Sequence, residues 1–190
     1  PDAQPGDMKF KDLNDDGVID ANDMTYIGNP IPKVTFGLNL NAEWKNFDVS
    51  MLFTGMANRK IFNAAKYYLN RFDGRQNVRA NFSYWHGEGT SNENPAISHS
   101  TTRNDLNFRA SDWYVEDGSF VRLKTLQIGY TFHPKFEGFA PSIRVYFAAQ
   151  NLFTITGYSG FDPEISSDIS VDRGQYPQPR SFMFGTNINF

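Results

Sequence analysis

Apolar and polar residues alternate with period two along five stretches of this chain. The plainest is Val34-Thr35-Phe36-Gly37-Leu38-Asn39-Leu40-Asn41-Ala42-Glu43-Trp44. Its even positions are apolar and its odd positions are polar or glycine, so an extended strand here carries one dry face and one wet face. After Lys45-Asn46 the pattern resumes from Phe47 to Gly55, with Phe47, Val49, Met51 and Phe53 opposite Asp48, Ser50 and Thr54. Two such runs separated by two residues predict a tight hairpin.

A third run, Phe120 to Phe132, sets Leu126, Ile128, Tyr130 and Phe132 against Thr125, Gln127, Gly129 and Thr131. Upstream, Arg122 and Lys124 fall on the apolar phase, which predicts that this end lies outside whatever the dry face contacts. A fourth, less regular run from Ile143 to Phe153 follows His133-Pro134 and a linker ending at Pro141-Ser142. The fifth, Arg180 to Phe190, alternates to the last residue, with Phe182, Phe184, Ile188 and Phe190 on the dry side.

The connections alternate too: short at 45–46, long at 56–118, short at 133–142 and long at 154–179. Short turns therefore fall at one end of the sheet and long loops at the other. Trp44, Phe47, Tyr130, Phe132 and Phe190 gather beside the short turns, as an interfacial girdle does. Ten-residue strands exceed the usual length of about five or six in globular sheets. At roughly 3.3 Å per residue and a tilt of about 45° they cross about 23 Å, close to the apolar band of a membrane barrel. The expected fold is all-β, a transmembrane antiparallel β-barrel; a soluble antiparallel sandwich or barrel shows the same alternation and stays open on pattern alone. Membrane barrels begin at about eight strands and bare edges in lipid are costly, so five strands predict the C-terminal piece of a larger barrel, broken upstream of Pro1. The absence of a signal-peptide pattern at the start fits that expectation.

Composition sharpens this picture. Of 190 residues 16% are aromatic, including 18 Phe and 9 Tyr, yet the mean hydropathy is −0.52. Alternating strands reconcile the two, because they average out in a hydropathy sum. The longest apolar run, Val145-Tyr146-Phe147-Ala148-Ala149, is far short of the roughly 20 residues of a membrane-spanning helix. Eighteen Lys+Arg against 21 Asp+Glu give a net charge of −3, with no basic surplus for a nucleic acid. Cysteine is absent, which excludes disulfides, zinc-thiolate and iron–sulfur sites and cysteine nucleophiles.

The sharpest local motif is Asp12-Leu13-Asn14-Asp15-Asp16-Gly17-Val18-Ile19-Asp20-Ala21-Asn22-Asp23. It fits the twelve-residue calcium-loop spacing: Asp12, Asn14 and Asp16 at positions 1, 3 and 5, Gly17 at the bend, the Val18 carbonyl at 7, Asp20 at 9 and Asp23 at 12. Calcium is a hard cation that takes six to eight oxygens, which this set supplies. Position 12 is Asp rather than the usual Glu, and Pro30 and Pro32 preclude a following helix of normal length, so a regulatory EF-hand is not expected. The choice is between a structural Ca2+ clip and a metal-free turn rich in Asx residues. A dockerin-type adhesion module would carry a second copy of the loop, and the sequence has none.

Residues 56–118 read as a structured loop anchored by Ile61, Phe62, Tyr67, Tyr68, Phe72, Tyr84, Trp85 and Trp113, since disordered segments are poorer in aromatics. Ile61 to Leu69 predicts a short helix, and Ser91 to Arg103 a polar, mobile stretch. Tyr84, Trp85 and Trp113 are candidate substrate-stacking residues, with packing inside the loop as the alternative. Catalytic constellations are missing: His86, His99 and His133 have no metal-ligand spacing, and Glu116 and Asp117, adjacent in an extended segment, point to opposite faces. Gly118-Ser119 lacks the second glycine of a nucleophile elbow, and no phosphate loop is present. No enzyme is expected.

Four stretches carry a resemblance to one family: 5–55, PGDMKFKDLNDDGVIDANDMTYIGNPIPKVTFGLNLNAEWKNFDVSMLFTG; 112–132, DWYVEDGSFVRLKTLQIGYTF; 144–164, RVYFAAQNLFTITGYSGFDPE; and 176–190, YPQPRSFMFGTNINF. They resemble the C-terminal end of TonB-linked outer-membrane transporters of SusC/RagA type, with 56–111 and 165–175 as the divergent parts. The resemblance implies a 22-stranded barrel with an N-terminal plug, of which these are the last five strands. It implies 1–33, 56–118 and 154–179 as extracellular loops, 45–46 and 133–142 as periplasmic turns, and Phe190 as the assembly signal. The implied partners are a SusD-like surface lipoprotein that captures oligosaccharides or peptides, the remainder of the barrel and plug, TonB acting through that missing part, and outer-membrane lipid. The alternative from the residues alone is a soluble extracellular β-rich carbohydrate-binding module with a structural calcium site.

Overall fold

The computed structural model describes residues 3–70, 81–98, 101–135, 137–138, 140–165 and 169–189. Phe72, His99 and Phe190, named above, lie outside the described residues. The strands are β1 (Val34–Trp44), β2 (Phe47–Ala57), β3 (Lys60–Asn63), β4 (Val115–Asp117), β5 (Phe120–Phe132), β6 (Ser142–Thr156), β7 (Val171–Asp172) and β8 (Ser181–Asn189). Two short helices, α1 (Ala64–Leu69) and α2 (Thr101–Asn107), lie between β3 and β4. The chain divides into two compact units: Pro1–Gly28, Phe62–Glu116 and Val171–Gly174 form the first, and Asn29–Ile61, Asp117–Ser170 and Gln175–Phe190 the second.

The second unit is built on a five-stranded sheet in the order β1-β2-β5-β6-β8, every neighbouring pair antiparallel. These are the five alternating runs, extended by two residues in β2 and by four in β6, one before Ile143 and three after Phe153. The β1–β2 hairpin turns at Lys45, whose φ of 55° supplies the left-handed conformation that two-residue hairpins need, and Trp44 faces Phe47 across it.

Register carries the apolar face across the whole sheet. Leu38 faces Phe53, Leu40 faces Met51, Val49 faces Ile128, Ile128 faces Phe147, and Phe147 faces Phe184. This face is open: Leu38 is 50% exposed, Trp44 68% and Phe184 84%. A soluble sheet covers such a face, because each large side chain left in water forgoes about 1.5–3 kcal/mol of burial.

The opposite face differs from expectation at one point. Leu52 faces Thr125 but Phe53 faces Leu123, so Lys124 is an extra residue in β5 and the phase of the strand inverts there. Arg122 thereby faces Thr54 and Thr154 on the polar side and is only 3% exposed. The expectation that Arg122 and Lys124 extend from the apolar face at a free end is corrected: a β-bulge, which period counting does not register, turns Arg122 inward. In the same unit, Ile61, Tyr158 and Ile165 form a small buried cluster.

In the first unit, Phe62 and Asn63 of β3 run parallel to Val171 and Asp172 of β7. The predicted helix over 61–69 begins later, at Ala64. The Asn63 side chain caps it, with Oδ1 accepting the Lys66 N–H at 2.8 Å, while Ile61 to Asn63 are strand. Phe62, Tyr67 and Tyr114 pack as an aromatic trio with centroids 5.2–6.1 Å apart. α2 begins at Thr101, so the stretch read as a loop to Arg103 ends in helix.

Candidate functional site

The polar face of the sheet carries two built ionic groups. Near the short turns, Arg144 on β6 reaches past β5 to Asp48 on β2, with Nε 2.9 Å from Oδ1. Gly129 stands between them, and a Cβ there would lie 2.5 Å from Asp48 Oδ1 and 2.6 Å from Arg144 Nε. Tyr146 lies over Gly185 on β8 in the same manner, with the Arg144 guanidinium 5.0 Å from the Tyr146 ring centroid.

Toward the other end, the buried Arg122 donates to Thr154 Oγ1 at 2.8 Å, Glu164 Oε2 at 2.6 Å and Asp162 Oδ1 at 2.6 Å. Lys124 Nζ adds a contact to Glu164 Oε2 at 3.0 Å. Asp162 also accepts the N–H groups of Glu164 and Gln178. Burial pushes the Asp162 carboxyl up, but those N–H donors and the Arg122 guanidinium outweigh it and hold the group below the ordinary aspartate value. The arrangement ties the connection after β6 to β5, a structural function with no reacting group.

The loop from Asp12 to Asp23 folds on itself. Asp12 Oδ2 accepts from Gly17 N, Asn14 Oδ1 from Asp16 N, Asp16 Oδ1 from Val18 N and Asp20 Oδ1 from Asn22 N, all within 2.7–3.1 Å. Asp23 accepts from Leu13 N at 2.7 Å and Asp20 N at 2.8 Å, and these bonds hold its carboxyl below the ordinary value. Gly17 makes the bend at a φ of +80°. Asp12 Oδ1 is buried with no hydrogen-bond partner. Among the described residues no three acidic or histidine side chains converge as a metal site. The side chains at positions 1, 3, 5, 9 and 12 are thus drawn into one turn, most of their oxygens satisfied by backbone N–H groups.

The aromatic candidates separate. Trp85 and Trp113 line one cleft of about 290 Å³ together with Gly6, Asp7 and Pro95. Trp85 lies against Gly6, and buried Asn107 fixes that segment by bonding Asp7 Oδ1 and Met8 N. Trp113 sits in the turn Asp112–Tyr114, its ring 4.4 Å from Lys66 Nζ. Tyr84 instead stacks on Phe82 and abuts His86. Glu116 and Asp117 have separate partners, Glu116 the Asn63 amide and Asp117 the Ser119 N–H and hydroxyl, as their opposite facing predicts. Sequence reasoning missed Asn70, Asn94 and Phe82, which line a second cleft beside Trp113, and the Arg122 cluster; isolated asparagines carry no spacing signal.

An antiparallel meander of long strands, apolar and open on one face and polar with paired charges on the other, is the wall of a membrane β-barrel. No family model matches the chain. The TonB-dependent receptor P3 of Formosa agariphila is 34% identical over 202 aligned positions, covering 100% of this chain and 19% of that protein. The TonB-dependent receptor SusC of Bacteroides thetaiotaomicron is 29% identical over 99% of the chain and 18% of its own length. A solved structure of the RagAB peptide transporter superposes with a TM-score of 0.70 at 25% identity, over 91% of this chain and 19% of that one. The chain belongs to the TonB-dependent receptors of SusC/RagA type and matches their C-terminal part, spanning about a fifth of their length. These relatives are receptors and transporters, not enzymes, and their barrel fold sets aside the soluble binding module.

Proposed function

We infer that the chain is barrel wall and loop structure of a TonB-dependent importer that carries nutrients, oligosaccharides or oligopeptides, across the outer membrane of a Gram-negative bacterium. The observation that carries this reading is the apolar face, continuous in register over five strands and carrying exposed large side chains from Leu38 and Trp44 on β1 to Phe184 on β8. Outer-membrane lipid covers that face. The two bare edges, β1 and β8, pair with the remainder of the barrel. The polar face looks into the lumen toward the plug.

On this reading 45–46 and 133–142 are periplasmic turns, and 1–33, 56–118 and 154–179 face the cell exterior, where a SusD-like lipoprotein docks. TonB acts through the N-terminal part of the receptor. Receptor-deleted and complemented cells, compared for uptake of labelled oligosaccharides and peptides with and without a protonophore, test the reading. Import should require both the receptor and the proton gradient; uptake indifferent to both would refute it.

The Asp12–Asp23 loop is proposed as a structural Ca2+ clip, with Asp12, Asn14, Asp16, the Val18 carbonyl, Asp20 and Asp23 as ligands. The partnerless Asp12 Oδ1 supports it, since a buried carboxylate oxygen without a donor is satisfied by a cation.

A further inference from the structure

The apolar face of the five-stranded sheet is not evenly filled. Register aligns Phe47, Tyr130, Val145 and Thr186 in one row across β2, β5, β6 and β8, and Val49, Ile128, Phe147 and Phe184 in the next. In the first row the bulk falls away at Val145 and Thr186. Aromatic groups stand on either side of that dip. Tyr130 packs edge to face on both Phe47 and Phe132 with centroids 4.6 Å apart, and Phe147 holds Phe184 at 5.2 Å and stacks on Phe182 at 6.2 Å. Between them lies a groove of about 600 Å³, lined by Phe47, Tyr130, Val145, Phe147, Phe184 and Thr186 among others, and all its walls belong to the second unit. A strand that pairs with the β8 edge joins the sheet in its own plane and leaves the groove uncovered.

The groove opens on the face turned toward lipid, so its occupant comes from the bilayer, and the chemistry of the walls says which part of a lipid fits. Valine and the aromatic rings take a hydrocarbon chain. Thr186 is exposed, and among the described residues neither its hydroxyl nor that of Tyr130 has a hydrogen-bond partner. A hydroxyl left unpaired in hydrocarbon is costly, which calls for an acceptor at that level. The row lies two residues inside Phe132, the last residue of β5. At roughly 3.3 Å per residue and a tilt of about 45° that is about 5 Å from the strand end, where the chains of a glycerolipid give way to its ester groups. Beyond this end the two short turns carry Lys45 and Lys135 against one acid, Glu137. Neither lysine has an ion-pair partner among the described residues, so both offer charge to a phosphate.

We propose that this groove is a binding site for one glycerophospholipid, with an acyl chain over Val145 between the two aromatic groups and the Thr186 hydroxyl donating to an ester carbonyl. The proposal rests on the reading of this face as barrel wall toward lipid and not on import. Native mass spectrometry of the full-length receptor in detergent, titrated with dioleoyl phosphatidylglycerol, tests it. Wild-type receptor should keep one lipid under activation that strips the detergent. Thr186→Val, which keeps the shape and removes the hydroxyl, should weaken retention about fivefold, as loss of one hydrogen bond does. Val145→Trp, which fills the dip from the lipid side, should abolish it. No lipid retained, detergent held equally well, retention indifferent to both variants, or loss of a receptor dimer rather than of lipid in Val145→Trp would overturn the site. A nitroxide at position 182, on the same face outside the groove, separates the two failures. Oxygen accessibility there with retention indifferent to both variants refutes the site alone, whereas nickel-chelate accessibility there refutes the lipid-facing wall.

Discussion

Asp48 and Arg144 stand on strands two apart, and they meet because the residue between them, Gly129, has no side chain. Any side chain at 129 would displace one partner. Gly129→Val should therefore separate the pair and lower stability by about 1–3 kcal/mol, the usual range for overpacking. The heat-modifiability shift of the full-length receptor on gels reads this directly. An unshifted transition would mean that the pair is dispensable or that the strands move aside without cost.

The Arg122 cluster predicts a larger effect. Arg122→Ala leaves Asp162 and Glu164 without their main cation in a largely buried setting, and breaking such a pair by removing one partner costs about 3–5 kcal/mol. Limited proteolysis should show the connection after β6 cut faster in the variant, since those contacts tie it to β5.

Acid should act through the same carboxylate. Asp162 is held below its ordinary value of 3.8 in the folded protein, so its stabilising contribution is complete above that value and is lost as the pH falls through its folded value. The stability difference between wild type and Asp162→Asn should accordingly shrink as the pH is lowered below 3.8. A difference constant down to the acid transition would contradict the assignment.

The two faces of β1 should respond oppositely to charge. Leu40→Arg places a cation on the apolar face near mid-strand and should cost about 2–4 kcal/mol in a bilayer, whereas Asn39→Arg, on the polar face, should fold with little loss. Folding yields into lipid vesicles over a urea series measure both.

For the loop ahead of β1, the proposed clip predicts that calcium raises the thermal resistance of the wild-type receptor and that chelation reverses it. Asp12→Ala should abolish the calcium response while leaving the chelated protein unchanged. A wild-type receptor indifferent to calcium would identify the segment as an Asx turn held by its own backbone bonds.

The sheet was largely legible in the chain because period two is imposed by the pleat itself. All five runs became neighbouring strands, and Lys45-Asn46 became the hairpin turn. What escaped was whatever local pattern does not encode. The bulge at Lys124 inverts the phase within a single strand, so Arg122, counted as an apolar-side cation, became the buried centre of an ionic cluster. β4 and β7, three and two residues long, are too short to show a period. The hydrogen bond from Asn70 to Asn94 spans a separation of 24 residues that the composition does not mark.

The most direct test of the account is a nitroxide scan of positions 34–44 in the receptor reconstituted in lipid, read by oxygen and nickel-chelate accessibility. The account predicts oxygen maxima at Phe36, Leu38, Leu40 and Ala42 and nickel-chelate maxima at Gly37, Asn39 and Asn41, alternating with period two. Uniform aqueous accessibility, or alternation in the opposite phase, would contradict a barrel wall with this face toward lipid.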